Sequence, residues 1–192
     1  MSTEIPIRLS NHHIHLSREA AQVLFGREDL TFMRYLDGEG DLVAYNETVT
    51  VKGPKGSIRG IRVLGPLRGK VQVELLVTDC YRLGVEAPVR MSGDLEGAAE
   101  LTVVGPCGEL TVPCGIIAHR HIHVHTKTAE EMRLADGDVI RVKVAGDRGL
   151  TFDNVKIKVS PKVTAHPMMM HIDTEEGNAA GIANNSIGFL VD

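Results

Sequence analysis

Hydrophobic and polar positions alternate along much of this chain, and the alternation predicts strands rather than long helices. Ile5-Pro6-Ile7-Arg8-Leu9 reads as a first strand that runs into Asn11-His12-His13-Ile14-His15-Leu16. Ser17 follows as an N-cap with Glu19 in the first turn and Gly26 beyond the end. That signature predicts a helix over Arg18 to Phe25 that buries Ala20, Ala21, Val23 and Leu24. Arg27 to Asp41 is polar, is punctuated by Gly38 and Gly40, and reads as mostly loop. From Glu47 the texture is short β segments. Thr48 to Lys52, Ser57 to Leu64 and Val71 to Thr78 are the candidates, separated by Gly53-Pro54-Lys55-Gly56 and by a Gly65-Pro66 break. Asp79 to Leu110 continues in short elements and turns.

The next stretch, Ala118 to His125, places histidine at every second position: His119, His121, His123 and His125. If it is extended, all four imidazoles project from one face, with Arg120, Ile122 and Val124 on the other. Thr128-Ala129-Glu130-Glu131 reads as a capping box that starts a short helix closed near Gly137. Val139 to Val144 and Asn154 to Ser160 are alternating strands joined through Gly146-Asp147-Arg148-Gly149. The tail carries His166, three consecutive methionines and His171-Ile172-Asp173-Thr174-Glu175-Glu176. After Gly177 its small, polar composition predicts fraying.

The order of elements recurs. A His-x-His strand, a short capped helix, a strand, a glycine turn, a second strand and a proline occur once from His13 to Pro66 and again from His121 to Pro161. Such self-similarity predicts two related β units, and short strands with frequent Gly and Pro turns favour small barrels.

Composition adds exclusions. The chain has 192 residues, 43% hydrophobic and 24% charged, with a formal net charge of −4, as in an ordinary globular protein. Net acidity and only 4% aromatic residues argue against nucleic acid as a partner. No apolar run reaches the roughly 18 to 20 residues of a membrane helix, and the N-terminus lacks the pattern of a signal peptide. Three cysteines, Cys80, Cys107 and Cys114, form no framework, which fits a reducing cytoplasm. Between Lys52 and Lys70 stand six basic residues and no acid, a local field suited to an anionic ligand.

A His-x-His pair on a strand offers two neutral imidazole nitrogens to one divalent ion. Two such pairs with further His and carboxylate groups give an N/O ligand set without thiolate, which points to zinc and also admits cobalt, nickel, iron or manganese, and their number points to two ions. His12 faces away from His13 and His15. His119, His125 and His166 read as peripheral, and His171 is the better ligand in the tail.

Asn-His-His-Ile-His-Leu-Ser, Gly-Pro-Lys-Gly-Ser-Ile, Leu-Gly-Pro-Leu-Arg, Val-Gln-Val-Glu, Arg-Met-Ser-Gly-Asp, Arg-His-Ile-His and Met-His-Ile-Asp-Thr-Glu-Glu together resemble the PduL-type phosphate propanoyltransferases over nearly the whole chain. The resemblance implies a mainly β protein of two small related β-barrel domains capped by short helices, with the active site at their interface. Residues 2–11 with 119–192 would form one barrel and 12–118 the other. It implies reversible transfer of a short acyl group, propanoyl or acetyl, between coenzyme A and inorganic phosphate at a dinuclear zinc site. His13 and His15 match ligands of one zinc, His121, His123 and His171 match ligands of the other, and Glu74 matches the carboxylate that joins them. Arg68 matches an active-site arginine suited to phosphate. A homodimer and a place in propanediol degradation are further implications. The N-terminal extension that targets some members to bacterial microcompartments is missing here, which favours the cytoplasm and leaves a microcompartment open. His12 stands where Arg is usual and His119 where Lys or Gln is common. Leu-Leu-Val-Thr-Asp-Cys after Glu74 lacks an arginine found there in the family. The residues alone also allow a dinuclear metal-dependent hydrolase of a thioester or amide, or a non-catalytic metal-binding module.

Overall fold

A computed structural model describes residues 3–36, 42–161 and 166–191. In chain order the first elements are β1 (Glu4–Ser10), β2 (His13–Ser17), α1 (Arg18–Phe25), β3 (Phe32–Tyr35), β4 (Val43–Lys52), β5 (Ser57–Arg68) and β6 (Gln72–Leu75). They are followed by α2 (Val77–Leu83), β7 (Val89–Arg90), β8 (Ala99–Val104) and β9 (Glu109–Ala118). The last third holds β10 (His121–His125), α3 (Thr126–Met132), β11 (Val139–Val144), β12 (Leu150–Ser160), β13 (Met168–Asp173), α4 (Thr174–Ala180) and β14 (Ile187–Val191). The protein is mainly β, as its alternating pattern predicts. No helix of the described residues is long and apolar enough to cross a membrane.

The chain divides into two compact units. One takes the described residues of Met1–Asn11 and His119–Asp192, and the other those of His12–Leu36 and Asp41–Ala118. The first unit is a closed barrel in the order β1-β13-β10-β12-β11-β14. Its core holds Ile5, Ile7, Ile122, Val124, Val142, Val155, Ile157, Met170 and Ile172, contributed by alternate positions of the strands. The second unit is a sheet in the order β3-β4-β5-β2-β6-β9-β7, with β8 paired to both β4 and β9. Those pairings also return on themselves, β4-β5-β2-β6-β9-β8 and back to β4, around Ile14, Leu16, Val49, Val51, Ile61, Val63, Val73, Leu101 and Cys114.

The two rings share one topology. In each, the His-x-His strand (β2 or β10) runs parallel to one neighbour (β5 or β12) and antiparallel to the other (β6 or β13). In each, that second neighbour runs parallel to a further strand, β9 beside β6 and β1 beside β13. The recurrence in the sequence is therefore a duplication of structure, with one exchange. β1 directly precedes β2 in the chain yet closes the other barrel, and β9 stands in the same relation to β10.

Several local expectations are corrected. Helix α1 spans Arg18–Phe25 with Ser17 and Gly26 as caps, as the sequence signature predicts, and buries Ala20, Ala21 and Leu24. Val23 is 46% exposed because it falls outside the stripe those three define. Within the supposed loop, Phe32–Tyr35 pairs with β4. β5 passes through Gly65-Pro66, a cis peptide, instead of ending there. The run from Val71 is not one strand: β6 stops at Leu75 and helix α2 begins. α3 starts at Thr126, capped by His125, and ends at Arg133 in the left-handed region, before Gly137. The tail does not fray. α4 extends to Ala180, and β14 closes its barrel by pairing with both β1 and β11.

Candidate metal centres

Register delivers the third member of each histidine cluster. Opposite His13 on β2 stands Glu74 of β6, and opposite His121 on β10 stands His171 of β13. Cross-strand partners share a sheet face, and so do residues two apart on one strand. His13, His15 and Glu74 therefore converge in one unit, and His121, His123 and His171 in the other. In each group the ligand atoms lie within 4.8 Å of one another. All six sequence-predicted metal residues fall into these two triads, at equivalent positions of the duplicated fold.

Their geometry fits a small divalent ion. His121 Nε2 and His123 Nε2 are 3.1 Å apart, and His13 Nε2 lies 3.3 Å from Glu74 Oε2. Two donors on a tetrahedral zinc with bonds of about 2.0–2.1 Å stand about 3.3 Å apart. His121 Nδ1 donates to the His119 carbonyl at 2.8 Å and His15 Nδ1 to the Leu64 carbonyl at 3.2 Å. These bonds fix the tautomer and leave each Nε2 lone pair turned to its cluster. Burial lowers the His15 pKa to about 3, helped by His13 and Arg68. The His123 pKa is likewise lowered to about 3, first by burial and then by His121 and Lys158. Both rings are thus neutral donors over the ordinary pH range.

A polar network ties Arg68 to the first triad. Arg68 donates to Ser92 Oγ at 3.0 Å, and Gln72 Nε2 donates to Ser92 Oγ and to Glu74 Oε1, both at 2.8 Å. Gln72 Oε1 accepts the Gly93 N–H at 2.7 Å. Sequence reasoning assigned no role to Gln72 or Ser92. The available signal was that Gln72 stands two residues before Glu74 on a strand and so shares its face. The other basic residues of the 52–70 run that the structure engages serve elsewhere. Lys52 pairs with Glu109, and Arg62 donates to the carbonyls of Tyr45 and Asn46.

A second contact is repeated in both units. The residue before each His-x-His pair reaches the third residue of the helix that follows the opposite strand. His12 Nδ1 meets Asp79 Oδ2 at 2.9 Å, and Arg120 Nε meets Glu176 Oε1 at 2.6 Å. Each acid also accepts the N–H of its own helix cap, Leu76 for Asp79 and Asp173 for Glu176. Burial pushes both carboxyls up. At Asp79 the His12 and Leu76 hydrogen bonds outweigh it and the pKa is net lowered, whereas at Glu176 burial wins over the Arg120 charge. His12 is thus a tether for β2 rather than bare surface. His119 contributes its carbonyl, His125 caps α3 by accepting the Lys127 N–H at 3.3 Å, and His166 lines a cleft of about 250 Å³ with Glu4, Met132 and Ile187. Cys80 and Cys114 are buried thiols outside both clusters, and Cys107 is exposed.

The chain resembles known proteins over almost its full length. It is 46% identical over 191 residues to a phosphate propanoyltransferase of Thermotoga maritima, covering 98% of this chain and 89% of that protein. It is 45% identical to those of Rhodobacter capsulatus and Salmonella typhimurium, over 95% and 94% of this chain and 84% and 85% of theirs. The family model described as phosphate propanoyltransferase matches residues 6–183, which contain both triads, the Arg68 network and both tethered helices, and the chain therefore belongs to the phosphate propanoyltransferase family of acyltransferases.

Proposed function

We propose that this chain is a phosphate acyltransferase that moves a short acyl group, propanoyl in the first instance, reversibly between coenzyme A and inorganic phosphate. Each triad would hold one zinc ion, His13, His15 and Glu74 the first and His121, His123 and His171 the second. The observation that carries this reading is the duplication itself. Two convergent N/O triads recur at equivalent fold positions, and one of them is joined through Gln72 and Ser92 to an arginine. A pure cation site has no use for an arginine, whereas a site that must hold phosphate does.

Bound zinc would supply Lewis acidity toward the thioester carbonyl and a counter-charge for the departing thiolate. The chain's own groups do the rest. Arg68 offers a planar fork to the phosphate oxygens and so brings the nucleophile beside the carbonyl carbon. Phosphate is already anionic near neutral pH, so positioning matters more than deprotonation. A phosphate oxygen bonds to the carbonyl carbon, the C–S bond breaks, and coenzyme A leaves as the thiolate. The transfer is direct, with no acylated protein between the two halves. Gln72 keeps the Glu74 carboxylate and the Ser92 hydroxyl in one arrangement throughout. Cys80, Cys107 and Cys114 as thiols in place of disulfides suit a cytoplasmic site of action.

Thiol release from propanoyl-CoA, followed with and without phosphate, tests the reading. Phosphate-dependent release together with two zinc ions per chain by elemental analysis supports it. Release without phosphate points to a hydrolase, and no release to a metal-binding module. A burst of thiol in the absence of phosphate that leaves an acylated protein refutes direct transfer. Acetyl-CoA in parallel reads the chain-length preference, where one methylene is worth only about 1–3 kcal/mol.

A further inference from the structure

Met91 to Asp94 leave β7 as a turn, closed by the Asp94 N–H donating to the Met91 carbonyl at 3.0 Å. Gly93, its third residue, has φ +102, in the left-handed region that a type II turn needs there. The same Gly93 donates its N–H to Gln72 Oε1 at 2.7 Å, and Gln72 is 3% exposed on β6. The turn is therefore pinned to the sheet at the residue next to Ser92. That gives the half-buried Ser92 side chain a fixed place beside Arg68 and Gln72.

The hydrogen bonds at Ser92 leave its proton unspent. A hydroxyl has two lone pairs and one proton, whereas a guanidinium and an amide NH2 can only donate. Arg68 donates to Ser92 Oγ at 3.0 Å and Gln72 Nε2 at 2.8 Å, so both lone pairs are taken and the proton must be given elsewhere. Among the described residues no group accepts it. The carboxylates of this network and this turn are engaged with other donors. Glu74 Oε1 accepts Gln72 Nε2, and Glu74 Oε2 lies 3.3 Å from His13 Nε2. Asp94 pairs with Arg90 and accepts the Glu96 N–H. Accepting two N–H groups, one of them from a full positive charge, polarises the Ser92 oxygen and makes its O–H a stronger donor. An anion gains most from such a donor, and the arginine beside it draws the same class of ligand.

We propose that the Ser92 hydroxyl donates directly to an oxygen of the phosphate that Arg68 holds, so that a neutral and a cationic donor 3.0 Å apart grip one tetrahedral oxyanion. This rests on the acyltransferase reading and adds to it a phosphate contact. Arg68 supplies charge and Ser92 supplies direction, because a hydroxyl with both lone pairs pinned has one orientation left for its proton. Gln72 then matters to phosphate as well as to Glu74, since its amide keeps the hydroxyl from turning its proton back into the protein. The ligand is inorganic phosphate in one direction of the reaction and the phosphoryl end of an acyl phosphate in the other.

The test is isothermal titration of zinc-loaded protein with inorganic phosphate. Wild type is compared with Ser92→Ala, Ser92→Thr, Arg68→Gln and Arg68→Gln/Ser92→Ala, each checked for zinc content and by circular dichroism. We expect Ser92→Ala to weaken phosphate binding about tenfold and Ser92→Thr, which keeps the hydroxyl, to stay within about threefold of wild type. The KM for propanoyl-CoA should change by less than about twofold in Ser92→Ala. Phosphate binding unchanged in Ser92→Ala, or a loss shared equally with propanoyl-CoA, overturns the proposal. The double variant separates contact from positioning. If Ser92 touches phosphate, its loss weakens binding by about a further fivefold in the Arg68→Gln protein. If it acts only by holding Arg68, the two Arg68→Gln proteins bind alike, which overturns the proposal. Where that binding is too weak to titrate, or Ser92→Ala does not fold, a crystal structure of the zinc-loaded wild type with phosphate decides. A distance of about 2.5–3.0 Å from Ser92 Oγ to a phosphate oxygen supports the contact, and one beyond roughly 3.5 Å overturns it. Failure of the underlying activity shows separately, as wild-type protein that releases no thiol in response to phosphate.

Discussion

Gln72 is 3% exposed and makes three hydrogen bonds, so replacing it by leucine of similar size isolates what that amide does. The change removes two donations, to Glu74 Oε1 and Ser92 Oγ at 2.8 Å, and one acceptance, from Gly93 N–H at 2.7 Å. The two bonds with neutral partners are worth about 1 kcal/mol each and the bond to the carboxylate about 1.5–3 kcal/mol. Partial access of water to Ser92 and Gly93 reduces the sum, leaving an expected loss of roughly 2–4 kcal/mol. Urea unfolding of zinc-free Gln72→Leu against wild type, at unchanged m-value, measures it. The Glu74 carboxylate also loses the bond that orients it beside His13. Losing a hydrogen bond that orients a metal-binding carboxylate typically weakens metal affinity by about 10–100-fold, readable by competition with a chromogenic chelator. A stability loss under about 1 kcal/mol with unaltered zinc affinity would show that the Gln72 bridge neither supports the fold nor fixes Glu74. The counterpart position across from His123 is Met169, so Met169→Leu should leave the zinc affinity of the second triad within about threefold of wild type.

Three further expectations follow from the same structure. His15 and His123 have folded-state pKa values of about 3 against 6.5 in the unfolded chain, so below pH 6.5 the unfolded state takes up protons that the folded rings refuse. Chelator-treated protein should therefore lose stability as pH falls, by about 2 kcal/mol per ring between pH 7 and 5, and a urea midpoint that stays flat over that range contradicts the assignment. Arg120→Ala breaks the 2.6 Å pair with the mostly buried Glu176 and should cost about 1–3 kcal/mol, whereas Arg133→Ala, on the exposed end of α3, serves as the control in thermal melts. A Cβ at Gly105 would run into the backbone carbonyl of Leu24 at the end of α1, so Gly105→Ala should lower stability by about 2 kcal/mol or more, and an unchanged melting temperature argues against so close an approach.

Much of this protein is legible without coordinates because its determinants are local. Alternation fixes the strands, and Ser17 with Gly26 brackets α1 to the residue, since caps act within a turn of the helix they close. The His-x-His spacing puts His13 with His15, and His121 with His123, on common faces through the period of a strand alone. The duplication can be read from repeated order, and the resemblance to a known family identifies Glu74, Arg68 and His171 residue by residue. Chain neighbours alone do not bring Glu74 to His13 or His171 to His121. Those meetings depend on the register of antiparallel pairs closed over about sixty and fifty residues, which burial of the barrel core selects. Tertiary structure likewise converts the apparent strand at Val77 into a helix and draws the polar tail into β14. It also sends β1 and β9 each into the barrel of the other repeat. It alone decides that Gln72 and Ser92 link Arg68 to the Glu74 carboxylate of the first triad, and that His12 and Arg120 perform one tethering role with different chemistry. A sequence specifies which residues can share a face; only packing against distant strands decides which faces meet.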